Sequence, residues 1–142
     1  MRGRVLHLAP GLKANLAAAA IRAFPDECCG LIEGVDMDDG WRALELHETA
    51  NLAPDPARRF LVDPSLQFAL MRALRNSDKR IIGCYHSHPM GGAQPSETDR
   101  REAAEDEFVW LIAAGASRES LLLAAYAFEA DGRRFRPLEL KD

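Results

Sequence analysis

Ile81-Ile82-Gly83-Cys84-Tyr85-His86-Ser87-His88-Pro89-Met90-Gly91-Gly92-Ala93-Gln94-Pro95-Ser96-Glu97-Thr98-Asp99-Arg100-Arg101 is the stretch on which the reading of this chain turns. It starts as an almost wholly apolar run, the pattern of a strand buried on both faces, and the expected strand is Arg80–His88. Side chains two apart on a strand point the same way, so His86 and His88 share a face. Pro89 blocks further ladder pairing, and Gly91 and Gly92 let the chain turn. Ser96 and Asp99 follow at the expected first turn of a helix, three apart and therefore on one helix face. Two imidazoles and a carboxylate make three N/O ligands, the number in a catalytic zinc site that keeps its fourth position for water.

Each of these residues also has a plainer reading. A histidine beside an apolar strand is often a satisfied core residue. Ser96-Glu97-Thr98-Asp99 is a capping-box-like helix start, in which Ser96 caps the backbone and Asp99 is favoured by the positive helix end. Capping and ligation do not exclude one another. A metal-activated water also needs a base that is not itself a ligand, and Glu27 is the candidate. It directly precedes the apolar run Cys28–Glu33, which places it at a sheet edge, and Pro25 and Gly30 constrain the backbone around it. The alternative for Glu27 is a solvated corner charge, as most acidic residues are.

Working outward, the rest of the chain reads as a mixed sheet with helices on its faces. Strands are expected at Arg4–Leu8, Cys28–Glu33 and Trp41–Ala50, the last with Trp41, Ala43 and Glu45 opposite Arg42, Leu44 and Leu46. Further strands are expected at Glu107–Ala113, Leu121–Glu129 and Arg133–Leu140, the last two joined at Asp131-Gly132. Helices are expected at Pro10–Phe24, Ser65–Asn76 and Ser96–Glu105, the second turning Leu66, Ala69, Leu70, Ala73 and Leu74 inward. Residues 51–59 form an irregular loop with Pro54 and Pro56.

Length and composition narrow the function classes. The 142 residues suit one domain, 1–142, that buries a core without staples. Apolar content of 47% and charged content of 28% speak against disorder. The net charge is −4 and basic residues form only short pairs such as Arg58-Arg59, so nucleic acid is a poor partner. Cys28, Cys29 and Cys84 are odd in number and two are adjacent, which gives no disulfide framework and implies a reducing cytoplasm. They read as small buried hydrophobes, with Cys84 on the strand face of His86. No apolar run approaches the roughly 18 residues of a membrane span, and no secretory leader is visible, so a cytoplasmic protein without a membrane partner is expected. His7 and His47 read as ordinary residues, and Arg58 and Arg59 as solvated or facing a substrate carboxylate.

His86-Ser87-His88-Pro89 with Ser96 and Asp99 follows the spacing His-x-His-x(7)-Ser-x-x-Asp, and so resembles the JAMM (MPN+) metalloprotease family. Phe24-Pro25-Asp26-Glu27-Cys28-Cys29-Gly30-Leu31-Ile32-Glu33-Gly34 is similar to the family segment that carries the catalytic glutamate. Asn51 and Arg59-Phe60-Leu61-Val62-Asp63-Pro64 resemble the short prokaryotic members. The likeness spans about residues 6 to 130. It implies that His86, His88 and Asp99 hold zinc, that Glu27 is the general acid/base and that Ser96 is the oxyanion-side donor. It also implies a cytidine-deaminase-like three-layer α/β/α fold around a curved mixed β-sheet.

The chain lacks the long insertions of eukaryotic deubiquitinases, and no His or Cys follows Asp99 to hold a second zinc. The smaller members imply a ubiquitin-like or sulfur-carrier substrate with a flexible Gly-Gly tail, which is expected to dock as an added strand on a sheet edge. The competing readings are a non-catalytic MPN-type scaffold, which would lack ligands present here, and a zinc hydrolase of a small molecule. The second lacks the His-x-Glu…Pro-Cys-x-x-Cys signature of the nucleoside deaminases.

Overall fold

A computed structural model describes residues 2–142. The elements are β1 (Val5–Leu8), α1 (Leu12–Ala23), β2 (Cys29–Met37), β3 (Gly40–Thr49), α2 (Pro64–Ala73), β4 (Arg80–His88), α3 (Glu97–Glu102), β5 (Phe108–Ala114), β6 (Leu122–Glu129) and β7 (Arg134–Lys141). Every expected helix and strand is present. β4 has the limits that its apolar run dictates, whereas β2 continues past Glu33 to Met37 and pairs with β3 across a tight turn. α3 is shorter than expected and stops at Glu102. There the Arg133 guanidinium, from the β6–β7 turn, donates to the carbonyls of Arg100 (2.7 Å) and Ala103 (2.8 Å), capping the helix end.

The strands run β1-β3-β2-β4-β5-β6-β7 and close into a barrel. β1 pairs in parallel with β3 on one side and with β7 on the other; β4 and β5 are also parallel, and the other pairs are antiparallel. The mixed α/β class expected from the sequence is therefore present, with the curved sheet closed into a barrel. Closure rests on the four residues of β1, whose backbone is shared between two neighbours. Gly40 permits the approach, because a Cβ there would overlap the Val5 carbonyl oxygen.

Two apolar clusters lie on opposite faces of the sheet. α1 lays Leu12, Leu16, Ala19 and Ala20 against Leu6, Leu8, Ile32, Trp41, Ile82 and Leu111. The other face gathers Leu31, Leu70, Cys84, Ala103, Trp110 and Phe128. Bulges decide which side chains reach which cluster. Glu33 pairs with Glu45 and Gly34 with Ala43, so Leu44 is an extra residue. The expected alternation of β3 therefore breaks there: Trp41 and Ala43 face α1, but so does Leu46, and Glu45 is exposed.

α2 also differs from its expected packing. Of the five positions expected to turn inward only Leu70 is buried; Leu66 and Leu74, the latter just past the helix end, are half-buried, Ala69 and Ala73 are exposed, and the further apolar residues Phe68 and Met71 face outward. The helix packs on the sheet through Leu66 and Leu70, spaced by four residues. Asp63 caps it, accepting from the Ser65 N–H at 3.0 Å. Among the described residues no helix is long and apolar enough to cross a membrane.

Gly30 sits between Glu48 of β3 and Tyr85 of β4. A Cβ there would overlap the His47 carbonyl oxygen and the Tyr85 ring. Gly30→Ala is expected to destabilise the metal-free protein by about 2 kcal/mol through overpacking, read as a lowered urea midpoint at unchanged slope.

Candidate metal centre

β4 ends at His88, and its last residues carry both imidazoles on the face of Cys84 and Trp110. His86 is fully buried. Its ring stacks on Phe60 (centroids 4.2 Å apart, 18° between planes) and meets Trp110 edge-on at 5.8 Å. His88 is oriented by its own turn, with Nδ1 2.8 Å from the Gly92 carbonyl oxygen. A carbonyl only accepts, so that contact places the proton on Nδ1 and leaves the Nε2 lone pair free.

α3 brings in the carboxylate. Ser96 is its N-cap, and the capping box anticipated from Ser96-Glu97-Thr98-Asp99 is formed. The Asp99 N–H donates to Ser96 Oγ at 2.9 Å, and the Ser96 N–H donates to Asp99 Oδ2 at 2.9 Å. The same Oδ2 lies 3.1 Å from His86 Nε2 and 3.2 Å from His88 Nε2, and the two Nε2 atoms are 2.9 Å apart. Three donor atoms thus form a triangle with sides of 2.9–3.2 Å. Bonds of about 2.0–2.1 Å in tetrahedral geometry give ligand-to-ligand edges of about 3.3 Å. Set and spacing fit a divalent ion of the zinc type. The ring and carboxylate oxygen also suit iron or manganese.

Glu27 is buried beside this triangle, its carboxylate and the two imidazoles offering atoms within 4.8 Å of one another. Its Oε1 has no hydrogen-bond partner, although an uncompensated buried carboxylate oxygen is costly. A buried carboxylate oxygen without a partner, beside this donor set, fits a site built to receive a metal and its water. Burial pushes the Glu27 carboxyl up to about 7, with neighbouring Asp99 adding to the rise and His88 opposing it. Asp99 is pushed the other way. Burial acts to raise it, but the hydrogen bonds with His86, His88 and the Ser96 N–H outweigh that and hold it well below the usual carboxylate range. Burial lowers His86 and keeps it neutral. For His88 burial also acts downward, but the Asp99 and Gly92 contacts outweigh it and raise the ring above its ordinary value. A bound cation competes with these protons, since it needs the same lone pairs.

All five residues singled out in the sequence, Glu27, His86, His88, Ser96 and Asp99, are gathered here. Glu27, His88 and Ser96 line an open cleft of about 250 Å³, walled by Ala57 and Arg58 on one side and Pro89, Met90 and Gly91 on the other. Ser96 Oγ accepts at the cap, so its own proton remains free to donate into the cleft. His7 and His47 lie elsewhere, against Asp39 (2.9 Å) and Glu33 (2.9 Å).

Sequence reasoning assigned no role to the residue that holds Glu27 in place. The Asn51 amide nitrogen lies 3.1 Å from the Glu27 carbonyl oxygen, 3.3 Å from that of Pro56 and 3.0 Å from that of Arg59. Its side-chain oxygen accepts from the N–H groups of Ala53 (3.0 Å) and Leu61 (3.1 Å). The Glu27 N–H donates to the Pro56 carbonyl at 2.8 Å. Asn51 was picked out by its likeness to the short prokaryotic members, but that likeness gave it no role, and beyond it the sequence offers only a polar side chain in a proline-bearing loop. Phe60, which supports His86, lies in the other stretch that carries the likeness and was likewise given no role.

A model of the prokaryotic homologues of the JAB domain matches residues 10–126. The chain belongs to this family, the short prokaryotic branch of the JAMM/MPN proteins. It is accordingly an enzyme, a metallopeptidase of the JAMM type. It is 30% identical over 116 residues to the desampylase of Haloferax volcanii, covering 82% of this chain and 78% of the relative. It is 33% identical over 102 residues to a probable TtuB-protein conjugate cleaving protease of Thermus thermophilus, covering 71% of this chain and 65% of the relative. The CysO-cysteine peptidase of Mycobacterium tuberculosis is 30% identical over 108 residues, covering 76% and 72%. A solution structure of a Desulfitobacterium hafniense protein superposes with a TM-score of 0.83 at 26% identity, covering 95% of this chain and 90% of the other.

The geometry predicts one zinc per chain. Asp99→Ala should weaken zinc binding by more than about 100-fold in a chelator competition, by comparison with the 10–100-fold typical of outer-shell losses. In the metal-free protein the same change should cost about 1 kcal/mol through loss of the capping box.

Proposed function

We propose that this JAMM-type enzyme hydrolyses the peptide or isopeptide bond that follows the C-terminal Gly-Gly of a ubiquitin-like or sulfur-carrier protein. His86, His88 and Asp99 hold zinc, Glu27 is the general acid/base and Ser96 the oxyanion donor. The observation that carries the reading is Glu27: a buried carboxyl with an unpartnered oxygen, pushed up to about 7, beside three converging donors. The relatives support the substrate class by their names, desampylase, TtuB-conjugate protease and CysO-cysteine peptidase. The free thiols of Cys28, Cys29 and Cys84 support action in a reducing cytoplasm, as a single domain over 1–142.

Zinc held by this donor set supplies Lewis acidity, which polarises a carbonyl and brings the pKa of water toward neutrality. Glu27 takes the proton of the attacking water and returns it to the departing nitrogen, a role suited to a carboxyl that titrates near the working pH. The Ser96 hydroxyl donates to the carbonyl oxygen as negative charge develops there. Phe60 and Trp110 fix His86, and Gly92 fixes His88, so the site pays no reorganisation at the moment of reaction.

The tail is expected to dock as an added strand. Among the described residues β1 pairs only with Gly40–Ala43 of β3 and Glu139–Lys141 of β7, so the rest of each of these strands keeps one unpaired side. The last carbonyl of the tail is delivered to the cleft lined by Glu27, His88 and Ser96.

Glu27→Gln should retain stoichiometric zinc and lose about 10²–10⁴-fold in kcat, whereas Ser96→Ala should lose about 10²-fold with little change in KM. Carriers extended past Gly-Gly, with product masses read after incubation, provide the assay. A zinc-loaded Glu27→Gln protein that turns over at the wild-type rate would remove this mechanism.

A further inference from the structure

Among the described residues Arg58 is the one Arg or Lys side chain that lines the cleft. Its neighbour Arg59 is engaged, 2.7 Å from Glu102 and 3.9 Å from Asp55, but among the described residues the exposed Arg58 guanidinium has no hydrogen-bonded or ionic partner. The position of Arg58 is nevertheless well defined by its backbone. Its N–H donates to the Asp55 carbonyl at 3.0 Å, the Glu27 N–H reaches Pro56 at 2.8 Å, and Asn51 ties the carbonyls of Glu27, Pro56 and Arg59 to one amide. The loop that carries Arg58 is thus locked to the backbone of Glu27.

That connection assigns a side of the cleft. The group that protonates the departing nitrogen must stand on the leaving-group side, and Glu27 is that group in the function proposed above, on which this inference rests. A loop fastened to Glu27 therefore borders the leaving group. If the leaving amine belongs to an amino acid, its carboxylate is only two bonds beyond the nitrogen, close to the acid that protonates it. A planar guanidinium receives a carboxylate through two parallel hydrogen bonds. The rest of the lining offers nothing comparable, since Ala57, Pro89, Met90 and Gly91 carry no charge.

We propose that Arg58 is a specificity residue for the leaving group: it pairs with a free carboxylate on the departing amine. The preferred substrate class is then a Gly-Gly carrier bearing a single C-terminal amino acid, and less so a carrier joined to a lysine side chain inside another protein. Hydrolysis of such a substrate adds water across the C–N bond and releases the carrier carboxylate and the free amino acid. The preceding reaction is one that appends an amino acid to the carrier terminus.

The test compares two carriers that differ in one group, Gly-Gly-alanine with a free carboxylate and Gly-Gly-alanine amide, using zinc-loaded wild type, Arg58→Ala and Arg58→Lys. Wild type is expected to favour the free acid about tenfold in kcat/KM, mainly through KM. Arg58→Ala should bring the ratio close to one, and Arg58→Lys should restore part of it through charge without the bidentate geometry. Equal cleavage of both carriers by wild type, or a ratio that survives in Arg58→Ala, overturns the inference and leaves the proposed function standing. Failure of wild type to cleave either carrier overturns both.

Discussion

A single oxygen, Oδ2 of Asp99, joins the end of a buried strand to the start of a helix. It meets the Ser96 N–H and both imidazole Nε2 atoms within 3.2 Å. The strand supplies the two rings because β4 is hydrogen-bonded on both sides, to β2 and β5, up to its last residues. The helix supplies the carboxylate because its capping box fixes Ser96 and Asp99 relative to one another. Neither element alone makes a site. The turn from Pro89 to Pro95 brings them together, and the Gly92 carbonyl sets the tautomer of His88 on the way.

Two carboxyls lie near the imidazoles, and their environments separate their roles. Asp99 is surrounded by donors and stays ionised despite burial; Glu27 is desolvated, one of its oxygens has no partner, and it is pushed up to about 7. A charged carboxylate is a ligand, and a carboxyl poised near neutrality exchanges protons, so environments that drive two acids apart assign ligand and base. Purely by proximity Glu27 also qualifies as a ligand, since it clusters with both histidines. Its lack of hydrogen-bonded support argues for the base, because a ligating carboxylate is held by an outer shell such as the one around Asp99.

Much of this was legible in the chain. The apolar run that ends in His86-Ser87-His88 gave β4 its limits, and the Ser96–Asp99 quartet gave the cap, because both are local patterns whose physics lies within a few residues. What was not legible depends on partners far away in sequence. Barrel closure rests on Val5–His7 pairing with Glu139–Lys141, a contact with no local signature. The extra residue Leu44 shifts which side of β3 faces α1, and a bulge cannot be read from alternation. α2 carries an apolar pattern wider than the row it buries, so Phe68 and Met71 remain outside. The resemblance picks out Asn51, but its role shows only where the carbonyls of Glu27, Pro56 and Arg59 converge on it.

The central claim is that Asp99 ligates while Glu27 stays unbound to serve as base. A crystal structure of the zinc-loaded protein, with the ion located by anomalous scattering, tests it most directly. The account predicts zinc bonded to His86 Nε2, His88 Nε2 and Asp99 Oδ2 at about 2.0–2.2 Å, with the Glu27 carboxyl beyond bonding distance and facing a solvent ligand. Zinc bonded to Glu27, with Asp99 left to its capping role alone, would contradict it.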